Sequence, residues 1–118
     1  MNEIKKNPEM EKRVDSILKD ILSKSKFWNK IYKTSPNPKI ERYKAVADTI
    51  YLDGDKDKQL REYCDEMQSK EMIYMQNTNP KQDLEHIKWW LETYNPQNNM
   101  VRYKAKEAIK RLEKKLKK

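Results

Sequence analysis

One glycine, Gly54, stands in 118 residues. Tight hairpins and phosphate-cradling loops need residues at positive φ, which glycine adopts at no steric cost. A chain with a single glycine is poorly equipped for a β-rich fold and has no Gly-rich nucleotide loop. Proline supplies the punctuation instead. Four of the five prolines follow asparagine: Asn7-Pro8, Asn37-Pro38, Asn79-Pro80 and Asn95-Pro96. Each pair has the chemistry of a helix start. The Asn side chain can accept from an orphan backbone N–H, and proline at the first helical position loses no hydrogen bond. The aspartates after Gly54 offer a fifth start. The expected fold is all-α: a compact bundle of four to five helices with short connections, one domain over residues 1–118.

The apolar periodicity places the helices. The first is expected over Pro8 to Lys33, on Met10, Val14, Ile17, Ile21, Trp28 and Ile31, with Lys24 filling the skipped position. The second spans Pro38 to Leu52, on Ile40, Tyr43, Val46, Ala47 and Ile50, and Gly54 is placed to end it in the left-handed conformation. The third starts near Asp55 or Asp57 on Leu60, Tyr63, Cys64 and Met67, and Glu71 interrupts its stripe. The fourth spans Pro80 to Tyr94, on Leu84, Ile87, Leu91 and Tyr94. The fifth spans Pro96 to Lys117, on Val101, Ala105, Ala108, Ile109, Leu112 and Leu116. Connections this short make sequential helices antiparallel neighbours.

Catalytic and metal chemistry finds little to work with. His86 is the only histidine, with Asp83 three positions before it. An Asp-x-x-His pair supplies two ligands where zinc needs three or four. His86 therefore reads as a partly exposed helix residue. Cys64 falls on an apolar stripe and reads as a buried structural thiol rather than a nucleophile. In Asp53-Gly54-Asp55-Lys56-Asp57 the glycine is at the second place, whereas a calcium loop needs it at the sixth. A helix end followed by a helix start explains that segment. No enzyme, cofactor or metal site is expected. One cysteine fits a reducing compartment, and no long apolar run or secretory leader is present, so a cytoplasmic protein with no membrane partner is expected.

Charge carries the functional expectation. The net charge is +8, and it is polarised. Residues 1–34 carry +4, residues 35–79 carry −2, and residues 80–118 carry +6. On the first helix Lys12, Lys19, Lys26 and Lys33 recur every seventh residue, joined by Lys30. They form a basic ridge about four to six turns long, opposite the apolar stripe. Arg102, Lys106, Lys110 and Lys114 repeat the arrangement in steps of four on the last helix. Phosphate backbones are the common partner of such ridges, and lysine in place of arginine favours sequence-independent contact. The alternative is a solvated face.

Aromatic residues offer a second route. On the fourth helix Trp90 falls about 70° from the centre of the apolar face and Trp89 about 170° away. Phe27 is likewise off the stripe of the first helix. Exposed tryptophan anchors protein partners and also stacks on unpaired bases. Two expectations follow: a small basic non-enzymatic nucleic-acid-binding or regulatory protein, or a helical interaction module, an inhibitor or adaptor, centred on Trp89 and Phe27. Small Lys- and Asn-rich helical proteins are common in mobile elements, an association without a mechanism.

Overall fold

The computed structural model describes residues 5–117. Helices make up 84% of these residues, and no strand occurs among them. In chain order the helices are α1 (Pro8–Lys24), α2 (Lys26–Thr34), α3 (Pro38–Leu52), α4 (Lys58–Thr78), α5 (Pro80–Tyr94) and α6 (Asn99–Leu116). The all-α expectation holds. The count is six because the first expected helix is two.

Ser25 makes that division. Its backbone is extended (φ −110°, ψ 113°), which ends α1, and its hydroxyl accepts from the Trp28 N–H at 3.1 Å to cap α2. The Asn29 side chain donates to the Leu22 carbonyl across the break and to the Ser25 carbonyl, which also accepts from the Asn29 backbone N–H. Lys24, in a position where the stripe wanted an apolar residue, marked the place.

Two Asn-Pro pairs behave differently from expectation. Asn95 does not start a helix. It closes α5 in the left-handed conformation (φ 45°), which asparagine tolerates better than most residues. The last helix therefore starts at Asn99, not Pro96, and Asn98 caps it by accepting from Met100 and Val101. Asn37 precedes α3 without a side-chain cap. Its amide side chain reaches the Met75 sulfur instead (3.5 Å). Asn7 and Asn79 cap α1 and α5 as expected. Gly54 sits at φ 85° after α3, and Asp57 caps α4 through the Leu60 N–H. α4 then runs unbroken to Thr78. Its inward stripe is Leu60, Cys64, Met67, Glu71 and Met75, so Glu71 holds a core position.

α3 is the centre of the bundle. It packs on α1, α2 and α4, and seven of its fifteen residues are buried. The core cluster joins Val14, Leu18 and Ile21 of α1 to Tyr43, Val46 and Ile50 of α3 and to Leu60, Cys64 and Met67 of α4. α5 leans on α4, and α6 packs chiefly on α5. α5 buries Asp83 and His86, and α6 buries no residue. The radius of gyration is 15.2 Å, against about 13.5 Å for a chain of this length packed to ordinary density.

Candidate functional site

The basic residues named from sequence separate into three surfaces. Lys12 and Lys19 are exposed on α1. Lys26, Lys30 and Lys33 are exposed on α2, a different helix axis. The single continuous ridge is therefore corrected: the cap at Ser25 interrupts it after Lys24. Lys106, Lys110 and Lys114 are exposed on α6, together with Lys104, Arg111, Lys115 and Lys117. Arg102 is engaged locally. Its guanidinium donates to the Asn95 side chain at 2.8 Å and to the Pro96 carbonyl at 3.2 Å, tying α6 to the end of α5.

α2 brings the cations and the aromatic residues together. Its nine residues include three lysines and no acid. Phe27 is 56% exposed, and its ring meets the Trp28 ring edge-on with centroids 5.3 Å apart. At the other end of the helix the Trp89 indole N–H donates to the Thr34 hydroxyl at 2.9 Å. Phe27 and Thr34 lie seven residues apart, about 10 Å along the axis. Lys26, Lys30 and Lys33 fall within the same stretch. Two separate expectations, a lysine surface and an aromatic one, meet on one short helix.

Trp89 itself is not on an empty face. It is half-buried, 5.4 Å from the His86 ring and edge-on to Tyr94 at 5.8 Å. The expected phase of α5 took its apolar residues as inward. Asp83 and His86 point inward instead, so Trp89, three residues beyond His86, is drawn to the α2 side. Leu84, Ile87 and Leu91 are only half-buried. Trp90 is half-buried too, stacked on Tyr94.

The reason for the altered phase is a buried polar junction. His86 is 7% exposed and Glu41 1%, so the expectation of a partly exposed histidine is corrected. The His86 Nε2 lies 2.6 Å from Glu41 Oε1, which also accepts from the Ser35 hydroxyl at 3.1 Å. Tyr94 reaches the other oxygen at 3.4 Å. An unpaired buried carboxylate is costly, and this pairing with hydrogen bonds is the form in which one is tolerated. Nearby, burial raises the Asp83 pKa above the ordinary carboxylate range, with His86 and Lys115 opposing.

A second network ties α1 to α3 and α4. Glu11 accepts from the Tyr43 hydroxyl at 2.8 Å, the Arg42 guanidinium at 2.7 Å and the Tyr63 hydroxyl. Burial opposes ionisation there, yet the bonds from Tyr63, Arg42 and Tyr43 outweigh it and hold the carboxyl below its usual range. Burial pushes the Cys64 thiol up to about 12, the state of an inert core thiol. The loop aspartates bind arginines: Asp55 pairs with Arg61 at 2.6 Å, and Asp57 pairs with Arg13. No group of three or more metal-ligating side chains occurs among the described residues. None of the helices among them is long and apolar enough to cross a membrane. Comparison with protein-family models, with curated proteins and with solved structures found no match to this chain.

Proposed function

We propose that this chain is a non-enzymatic nucleic-acid-binding protein whose central contact surface is α2. The observation that carries the reading is the α2 face: Lys26, Lys30 and Lys33 exposed with no acid in the helix, and Phe27 and Trp89 at its two ends. Lysines supply phosphate contacts whose strength comes from counterion release. The exposed Phe27 ring adds stacking on an unpaired base, worth about 1–3 kcal/mol per base. The combination favours single strands over duplex. Lys12 and Lys19 on α1 extend the surface. Lys106, Lys110 and Lys114 on α6 form a second, purely electrostatic one.

Anisotropy titrations with labelled single-stranded and duplex DNA and RNA test this. Affinity should fall linearly with the logarithm of salt. Changing Lys26, Lys30 and Lys33 to Gln should shallow the slope by about 0.7 per lost single-strand contact. Phe27→Ala should weaken single strands more than duplex. Absence of binding to every nucleic acid at low salt overturns the reading.

The interaction-module reading keeps one supporting observation. The outlying hairpin leaves Met100 and Tyr103 more than 60% exposed on α6, apolar surface beyond the reach of α5. If nucleic acid fails to bind, a protein partner covering α6 is the reading that remains.

A further inference from the structure

α6 carries Ala105 and Ala108 on the side it turns toward the bundle. Alanines leave it short of α3 and α4, and the gap is a cavity of about 390 Å³. Sites for small organic ligands run from about 300 to 1,000 Å³. The walls are apolar: Met72 of α4, Ile87 and Trp90 of α5, and Val101 of α6 beside the two alanines. Glu41 and His86 line the same cavity. The cavity is partly open to solvent and lies beside the buried Glu41–His86 hydrogen bond, so a ligand can enter it and reach a polar wall.

The polar lining decides what fits. His86 is more than nine-tenths buried, and its Nε2 is taken by Glu41 at 2.6 Å. Lys44 and Lys104 also line the cavity. Lys44 is shared with Asp48, 3.8 Å away, and with the Tyr94 ring. Lys104 is exposed and has no acidic partner among the described residues. Two lysines and one acid, Glu41, line the cavity, so the charge around it is net positive. A cationic ligand is disfavoured and an anionic head group is favoured.

We propose that this cavity binds a small amphiphilic acid: an aromatic or medium-chain body with a single carboxylate or sulfonate head. The body packs on Trp90, Ile87, Met72 and the alanine face of α6. The head meets Lys104 and Lys44. Such a ligand bridges α6 to α3 and α4, which α6 scarcely touches by itself. The site is independent of the nucleic-acid surface on α2 and stands whether or not that surface binds nucleic acid.

Anilinonaphthalene sulfonate is the direct probe, with decanoate as competitor, on the full chain at neutral pH. The expected result is saturable one-to-one binding that decanoate displaces and that slows amide exchange in α6. Decanol, which lacks the charge, should compete about tenfold less well, the equivalent of one charge-assisted contact. Ala108→Phe should fill the cavity and abolish probe binding, with the melting temperature checked in parallel. Lys104→Glu, at an exposed position that folding does not depend on, should weaken both acids about tenfold or more. Probe binding indifferent to both substitutions overturns the proposal, as does equal competition by decanol. Vesicles containing phosphatidylglycerol should not displace the probe, and displacement by them would replace the cavity with a membrane-surface mode.

Discussion

In the first four helices the main apolar cluster joins Val14, Leu18, Ile21, Val46, Ile50, Leu60 and Met67 around Tyr43 and Cys64, with Glu41 and Glu71 the buried acids beside it. In the last two, α5 buries Asp83 and His86 and α6 buries nothing. The first region is held by apolar area removed from water, about 25 cal/mol per Å². The second is attached through a polar junction at Glu41 and a half-covered apolar seam between α5 and α6. Apolar packing is non-directional and tolerant, whereas a buried hydrogen-bonded polar pair holds one geometry and leaves an unsatisfied group when a partner is lost. The difference predicts that local opening is cheapest in the α5–α6 hairpin. Helices with few buried contacts open at lower free-energy cost, and surfaces that move on binding are drawn from them.

The largest expected effect is the contrast in packing. Leu60 is fully buried, and Leu60→Ala should cost about 2–5 kcal/mol. Leu112 on α6 is half-buried, and Leu112→Ala should cost about 1 kcal/mol, nearer the ordinary size for a point substitution. Equal costs would show that α6 is as firmly packed as α4.

Next comes the junction. Glu41→Ala removes the carboxylate that His86, Ser35 and Tyr94 bond and leaves a buried imidazole unpaired, a loss of about 1–3 kcal/mol or more. Thermal or urea melts measure it. A cost near zero would mean that the hairpin is held by its apolar seam, and the contrast between the regions would dissolve.

A smaller effect belongs to Trp89. Trp89→Phe keeps the ring against His86 and Tyr94 but loses the hydrogen bond to Thr34, worth about 0.5–1.5 kcal/mol. Urea melts read it, and indifference would mean that the α2–α5 link adds nothing to the fold.

The pH dependence is the finest probe, because the two regions should respond with opposite sign. Glu11 has a lowered pKa, so its stabilisation is present above its unfolded value near 4.5 and is lost as pH falls through the folded value. Glu11→Gln should flatten the loss of stability below about pH 4.5. Asp83 has a raised pKa, so its ionised form is disfavoured in the fold at neutral pH. The relief comes on acidification, through the folded pKa toward 3.8. Asp83→Asn should therefore be neutral or stabilising at pH 7 and should remove that gain. Melts across pH 3 to 7 compare the two, and like signs would overturn the assignment.

Much of this molecule is determined by local chemistry and is legible in the chain. The scarcity of glycine and the capping pairs at Asn7 and Asn79 define an all-helical protein, because caps and φ preferences act within a few residues. The stripes through Val14 and Ile21 and through Leu60, Cys64 and Met67 name part of the core, because burial follows helical period wherever only one face is covered, while Ile17 is only partly buried. Even the break at Ser25 left its mark in Lys24. What only the tertiary structure decided is every feature that depends on a distant partner. Glu41 and His86 are 45 residues apart, and neither reads as a core residue until the other is beside it. Their pairing rotates α5, swings Trp89 onto Thr34 and places Phe27, three lysines and an indole on one surface. Asn95 looks like Asn7 in sequence and does the opposite job, closing a helix rather than opening one. The pair favours a helix start but leaves the left-handed conformation open to asparagine, and the packing of α6 against α5 selects between them.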